Sequence, residues 1–379
     1  MMLLPRKYIR VPTNSLRYLS TASNSDFPVI DMRPILTPYH ADRESTVKKI
    51  GEALKRRGFF YMSNVHVLPT DYINSVYSYL HRLHELPVDV KRQYSQRDGH
   101  GAYSGLDIGQ AELAYDPKTT ATVRAWDYSR TRFTLKKKDD PESNRYPGID
   151  VIDPDYTTFV DDLYERQDVL GKALMIAFAE CLNLPSNTFV NMFKGGDFGT
   201  IRLLSYPEVS NEDANDANVG ISAHTDFEAF TLMHQDAPGL QFLPSSSNDN
   251  GENRKWVDAP VHEGEFVVIV GDVLERFTNG ELVATPHRVV TTPHKRASII
   301  RFNAVTADTV VKPLPQFVSD DNPPKYSPVT MKTHMETTMQ NLEKGMGAWD
   351  DETLTSLTAT YEYIDGKDWR KVVELENSV

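Results

Sequence analysis

The chain has 379 residues, 40% of them hydrophobic and 25% charged, which is the composition of one large or two ordinary globular domains rather than of a disordered polymer. Its formal net charge of −12 argues against a general nucleic-acid binder, which needs a basic face against phosphate, but not against a small anionic ligand held by one buried Arg. The single cysteine, Cys181, excludes a disulfide framework and a Cys-based zinc site within one chain, and no stretch is apolar over the roughly 18 residues of a membrane span.

Residues 1–24 read as a leader. They contain no acid but carry Arg6, Lys7, Arg10 and Arg17 among serines, with Arg17-Tyr18-Leu19-Ser20 resembling a processing site. That composition predicts a mitochondrial transit peptide, with a disordered leader and a cytoplasmic protein as the alternative. Structure is predicted to begin with a short strand at Phe27–Asp31. A helix follows from about Asp42, with Val47, Ile50 and Leu54 on one face and Gly58 as its stop, and Phe59–Met62 reads as a buried strand. Thr70 is a plausible N-cap for a helix carrying Ile73, Val76, Leu80 and Leu83. A longer helix is predicted from Tyr156 to Leu182, with Cys181 as a small packing residue on its apolar face.

From about Thr200 short apolar runs alternate with turn signals. The runs are Ile201–Leu204, Phe230–Met233, Leu240–Leu243, Phe266–Val270, Leu282–Ala284 and Ser298–Phe302. Turns are expected at Pro238-Gly239, across 245–251, at Thr292-Pro293 and at Asn279-Gly280, the last as a hairpin because both residues tolerate positive φ. The pattern predicts a jelly roll with the N-terminal helices buttressing one sheet. The expected organisation is 1–24 leader, 25–198 N-terminal α/β region, 199–310 jelly-roll core and 311–379 helical extension, with a helix near Thr330 to Lys344.

His224 and Asp226 stand at i and i+2, a spacing that on a strand turns both side chains to one face. His287, in Thr285-Pro286-His287-Arg288-Val289, is the best third ligand. Two His and one carboxylate leave three coordination positions open, an arrangement suited to Fe(II) and O2. His-x-Asp alone is weak, since a solvated polar pair has the same spacing. His40, His66, His81, His84, His100, His262, His294 and His334 read as surface or packing residues, and His234 as able to face either way. Nine residues beyond His287, Arg296 and Ser298 share a strand face, and a guanidinium with a hydroxyl is a receptor for a carboxylate. Beside an open metal site, that is what a bidentate 2-oxo acid needs for its far carboxylate.

On these residues, and on Phe27–Asp31, Gly58-Phe59-Phe60-Tyr61, Gly264 through Asp272, and Thr278-Asn279-Gly280 followed by Pro286–Val289, the chain resembles the isopenicillin-N-synthase-like branch of the 2-oxoglutarate/Fe(II)-dependent dioxygenases over roughly residues 26–330. The resemblance implies a fold that is mainly β with flanking α, a distorted double-stranded β-helix. It implies Fe(II) on His224, Asp226 and His287, and 2-oxoglutarate on Arg296 and Ser298. Tyr206 stands where the family often has a Tyr that also bonds the co-substrate, although Leu204 stands where many plant members carry Asn.

The implied reaction uses O2 to decarboxylate 2-oxoglutarate to succinate and CO2, coupled to oxidation, by default hydroxylation, of a small-molecule substrate; no nucleic-acid or membrane partner is expected. Phe302, four residues past Ser298, is a candidate to wall the substrate pocket, and Tyr103, Arg124 and Trp126 are candidates in the family's variable region. Three other readings fit the same ligands: a same-fold Fe(II) oxidase that does not use 2-oxoglutarate, a non-catalytic metal-binding sensor, and a zinc hydrolase, for which no general base stands at a motif spacing.

Overall fold

The computed structural model describes residues 27–95, 102–113, 115–129, 151–153, 155–193, 199–210, 218–244, 255–345, 347–350, 355–356, 361–364 and 368–371. The leader at 1–24, His100 and the turn at 245–251 lie outside them.

The N-terminal half contributes strands β1 (Val29–Asp31), β2 (Phe59–Ser63), β3 (Tyr103–Ser104), β4 (Thr120–Ala121) and β5 (Arg124–Ser129), with helices α1 (Arg33–Leu36), α2 (Arg43–Arg57), α3 (Thr70–His84), α4 (Val88–Arg92) and α5 (Tyr156–Cys181). The second half contributes β6 (Thr200–Tyr206), β7 (Asn218–Val219), β8 (Ile221–His224), β9 (Phe230–Gln235), β10 (Leu240–Phe242), β11 (Val257–Asp258), β12 (Phe266–Val270), α6 (Asp272–Phe277), β13 (His287–Val289) and β14 (Arg296–Asn303). Beyond these lie β15 (Val310–Val311), β16 (Val329–Thr330), α7 (Met331–Glu343) and two short ladders, β17 (Trp349–Asp350) with β18 (Thr355–Ser356), and β19 (Tyr361–Ile364) with β20 (Asp368–Lys371). Among the described residues, the region after 311 therefore holds one α-helix, a short 3-10 helix at Pro315–Phe317 and several short strands, where a helical extension was expected.

Two sheets make a jelly roll. The large one runs β1-β2-β12-β9-β14-β6-β5-β3 and the small one β11-β10-β13-β8. Alternation in the large sheet separates two apolar layers. Ala297 and Ile299 of β14, Leu203 of β6 and Val268 of β12 join the core under the helices, while Ile300, Leu204, Val267 and Ile269 line the interior between the sheets. Each such Val, Leu or Ile side chain, fully buried, contributes about 1.5–3 kcal/mol of apolar transfer energy. Because β1, β2, β3 and β5 pair into the same sheet as β6, β12 and β14, the expected boundary at residue 198 is not a break in the fold.

The helices pack where their periodic faces predict. Val47, Ile50 and Leu54 of α2 are buried, and α2 ends at Gly58, whose φ of 76° is left-handed. A Cβ on Gly51 would stand 3.0 Å from the Cβ of Cys181, so α2 and α5 cross closely there, and Cys181 serves as packing. Thr70 is the first residue of α3, not its cap; Pro69 holds the cap position with extended backbone.

Asn279-Gly280 does not make a hairpin. Both residues have positive φ, 51° and 81°, but they end α6, with Gly280 N–H donating to Glu275 O at 2.9 Å. The left-handed preference of Asn-Gly serves a helix C-terminus as well as a two-residue turn, and a helix precedes it here. Leu282–Ala284 then runs without strand pairing among the described residues, and Asn279 anchors a later loop, accepting from Lys325 N at 2.8 Å and donating to Pro323 O at 3.0 Å.

Candidate active site

β8 ends at His224 and β13 begins at His287, and the ladder pairs these two residues directly. Their rings lie 4.3 Å apart between centroids. Each Nδ1 sits against a carbonyl two residues back: His224 on Ser222 O at 2.8 Å and His287 on Thr285 O at 3.0 Å. A carbonyl only accepts, so Nδ1 carries a hydrogen and Nε2 is the ring atom left to meet a metal. Both Nε2 atoms stand 3.7 Å from Asp226 Oδ1. The three side chains are buried, their candidate ligand atoms fall within 4.8 Å of one another, and they form a set that can hold one metal ion.

Strand alternation is not what unites His224 and Asp226, because β8 stops at His224 and Asp226 follows it. Asp226 is fixed instead by Thr231 Oγ1, which donates to Oδ2 at 2.5 Å, and by Asp272 N–H, which donates to Asp226 O at 2.8 Å. Gly271 makes that second contact possible, since a Cβ there would lie 2.3 Å from Glu228 O and 3.0 Å from Asp226 O. Burial first, and then the neighbouring His287, push His224 well below the usual imidazole range, so it stays in the neutral form a metal requires. Tyr115 stacks on His224 at 4.2 Å with an interplanar angle of 7°.

Strands β14 and β6 carry the rest of the interior in rows. Arg296 is paired with Tyr206, Ser298 with Leu204 and Ile300 with Arg202. On the other side β9 places Gln235 beside Ser298 and Thr231 beside Phe302. Arg296 is 1% exposed; Nη2 donates to Gln235 Oε1 at 2.9 Å and the guanidinium lies 4.6 Å from the Tyr206 ring centroid. Arg296 Nε and Nη1, Ser298 Oγ and Tyr206 Oη are buried without a hydrogen-bond partner. Buried polar atoms are ordinarily paired, so four orphans on two adjacent rows mark a receptor for an oxygen-rich anion. This fits the far carboxylate of a 2-oxo diacid whose other end meets the metal.

A cavity of about 610 Å³ reaches His224 and Asp226 and extends past Phe302 and Arg202. Arg202 donates from Nε to Asp127 Oδ1 at 2.6 Å, and from Nη2 to Asp127 Oδ2 at 3.0 Å and Glu112 Oε1 at 2.8 Å. Burial opposes the Arg202 charge, but the attraction of Asp127 and Glu112 outweighs it and holds the guanidinium charged. Glu228 also lines the cavity; burial, and then Asp226, push its carboxyl up to about 8. Helix α7 forms a wall with Met335, Met339 and Leu342, tethered by His334 Nε2 on Phe227 O at 3.0 Å. The 110s segment is tied down likewise, by Ala348 N–H donating to Tyr115 O at 2.8 Å.

Of the residues read as substrate-facing, Phe302 lines this cavity and Tyr103, Arg124 and Trp126 do not. On β5, Trp126 faces the helical core against Tyr103 and Tyr94, and the alternate residue Asp127 faces the cavity. Tyr103 Oη donates to Asp107 Oδ1 at 2.8 Å, and Arg124 Nε lies 4.0 Å from the same carboxylate, which also pairs with buried Lys91. His234 lies on the outer face of β9, its Nδ1 2.8 Å from Tyr77 Oη, away from the metal set. Sequence reasoning missed Arg202, Glu112, Asp127, Glu228 and Tyr115. Arg202 carried a signal, because it shares strand parity with Tyr206.

Residues 193–304 match the family model described as the 2OG-Fe(II) oxygenase superfamily, and residues 27–148 match one described as the N-terminal region of non-haem dioxygenases in morphine synthesis. The 2-oxoglutarate-Fe(II) type oxidoreductase ppzC of Metarhizium rileyi is 31% identical over 288 residues, 70% of this chain and 73% of the relative. The homoarginine-6-hydroxylase 2-ODD-C23 of Glycine max is 27% identical over 304 residues, 76% of this chain and 88% of the relative. The crystal structure of a full-length Neurospora crassa protein in complex with alpha-KG superposes with a TM-score of 0.70 at 23% identity, covering 86% of this chain and 98% of that one. The same Neurospora protein has also been solved with alpha-KG and thymine.

Proposed function

The chain belongs to the 2-oxoglutarate/Fe(II)-dependent dioxygenase family, and from that premise we propose that His224, Asp226 and His287 hold its iron while Arg296, Ser298 and Tyr206 hold the far carboxylate of 2-oxoglutarate. The enzyme is an Fe(II)-, 2-oxoglutarate- and O2-dependent oxidoreductase. When bound, iron supplies the activation of O2 that couples decarboxylation of 2-oxoglutarate, to succinate and CO2, to oxidation of a substrate.

The observation that carries the residue assignment is the pairing of a two-His, one-carboxylate set with four unpartnered polar atoms on neighbouring rows of one interior. The side chains act by position. The Nδ1 bonds to Ser222 O and Thr285 O aim both imidazoles, and Thr231 orients the Asp226 carboxylate. Arg296 supplies the charge that the co-substrate's distal end needs in a buried setting. The cavity, of a size suited to a small organic molecule, takes the substrate, and hydroxylation is the outcome this reading favours. We further propose that residues 1–24 direct mitochondrial import, which a reporter fused to that segment tests.

Protein purified without oxygen should bind one Fe(II) and form succinate from 2-oxoglutarate. His224→Ala should lose both while remaining folded. Full iron binding and succinate formation in that variant would overturn the ligand assignment.

A further inference from the structure

We propose that the substrate of this oxygenase carries a cationic nitrogen, an ammonium or a guanidinium, recognised by the acidic side of the cavity at Glu228, Glu112 and Asp127. The inference rests on the functional reading above and narrows it to a substrate class.

The charge of the cavity favours a cation. In the loaded enzyme, the charges of Fe(II) and Arg296 balance those of Asp226 and 2-oxoglutarate. Leaving Asp226 and its neighbour Glu228 aside, the described residues lining the cavity place three carboxyls, Glu112, Asp127 and Glu343, against one guanidinium, Arg202. Arg202 does not offer a receptor for an anion. Two of its nitrogens are already committed to Asp127 and Glu112, and a substrate carboxylate would join those two. Like charges brought together in a buried site repel strongly.

Glu228 points the same way independently. It is 8% exposed and lines the cavity, and among the described residues no side-chain hydrogen bond or ion pair is made to it. A buried carboxyl needs a hydrogen-bond partner, and the N–H groups of a cationic ligand in the cavity supply one. The cavity is also lined by apolar side chains, Phe302, Met335 and Leu342, so the substrate pairs the cationic nitrogen with an apolar portion. Arg202 acts as a positioning residue, holding Asp127 and Glu112 in place.

Three probes on one skeleton test this: 4-phenylbutylamine, 4-phenylbutanol and 4-phenylbutyrate. Their binding is measured by calorimetry on the full chain loaded anaerobically with Fe(II) and 2-oxoglutarate, after separate titrations of iron and 2-oxoglutarate. The amine should bind at least ~10-fold more tightly than the alcohol, and the carboxylate more weakly than both. The double variant Glu112→Gln, Asp127→Asn uncovers the Arg202 charge and should move the preference toward the carboxylate, while Glu228→Gln should lower amine affinity alone. Thermal unfolding checks that each variant is folded. Equal affinity for the three probes, or tighter binding of the carboxylate by the unmodified protein, would overturn the substrate class. Failure to bind 2-oxoglutarate at all would instead overturn the co-substrate assignment.

Discussion

Replacing Arg296 by Met separates a binding role from a structural one, because the two predict opposite effects. Without co-substrate, Arg296 is a nearly fully buried cation with one hydrogen bond, to Gln235 at 2.9 Å, and one ring contact, to Tyr206. Its Nε and Nη1 are unpaired. The variant loses a bond and a cation–π contact worth about 1 kcal/mol each, but removes two orphan donors that cost about 1–3 kcal/mol apiece. Unfolding of the co-substrate-free protein should therefore occur at the same temperature or higher. Binding should change the other way. Truncating one partner of a buried charge pair costs about 2–5 kcal/mol, or roughly 30- to 5,000-fold in 2-oxoglutarate affinity. The assay is the KM for 2-oxoglutarate by succinate release, together with thermal unfolding with and without 2-oxoglutarate. Saturation at about 100 Kd should stabilise the unmodified protein by about 2.7 kcal/mol and the variant by almost nothing at the same concentration. Iron stoichiometry should not move. A KM within about threefold of the original, with an undiminished thermal response, would show that the far carboxylate sits elsewhere.

Thr231→Val keeps the volume of a buried residue but removes the donor to Asp226 Oδ2, so Fe(II) affinity should fall about 10- to 100-fold with little change in fold. Anaerobic Fe(II) titration checks this, and unchanged affinity would refute the orienting role. His334 is held down to about 3, first by burial and then by Arg276, against 6.5 in the unfolded chain. The unfolded state therefore binds the extra proton below pH 6.5, so stability from this group is complete above 6.5 and is lost as pH falls toward 3. Relative to a His334→Gln variant, the unmodified protein should lose about 1.4 kcal/mol per pH unit between pH 6 and 4, measured by urea unfolding. The paired comparison cancels carboxyls such as Glu228, whose raised value gives the opposite slope. Parallel curves for the two proteins would refute it.

The metal set shows how a local rule can gather the right residues for a partly different reason. Period-two spacing grouped His224 with Asp226, yet the strand ends between them, and Thr231 and the Gly271 contact hold the carboxylate. None of those long-range partners leaves a periodic trace. Asn279-Gly280 shows the reverse case. Its left-handed backbone was readable, but whether it closes a hairpin or a helix depends on α6, a six-residue helix too short to announce itself.

Residue type misled where strand parity would have served. Tyr103, Arg124 and Trp126 are the residues one selects for a binding wall by chemistry, but Arg124 and Trp126 occupy the parity of β5 that faces the helices. Asp127 occupies the other. Tyr206, Leu204 and Arg202 share one parity of β6, and the ladder sets Arg202 against Asp127 on β5 and Ile300 on β14. Every second residue of β6, counted back from Tyr206, therefore leads from the proposed co-substrate end of the interior to the charged centre of the cavity. The same logic applies to α7, where Met335, Met339 and Leu342 recur at i, i+4 and i+7 and so mark one apolar face of a polar helix. What no pattern within one segment reveals is that this face closes over the candidate metal set. That follows from His334 meeting Phe227 O, one residue beyond the Asp226 ligand candidate, and from Ala348 meeting Tyr115 O, beneath the ring stacked on His224. This wall of the cavity is thus assembled from three distant stretches, and the candidate metal set is where they converge.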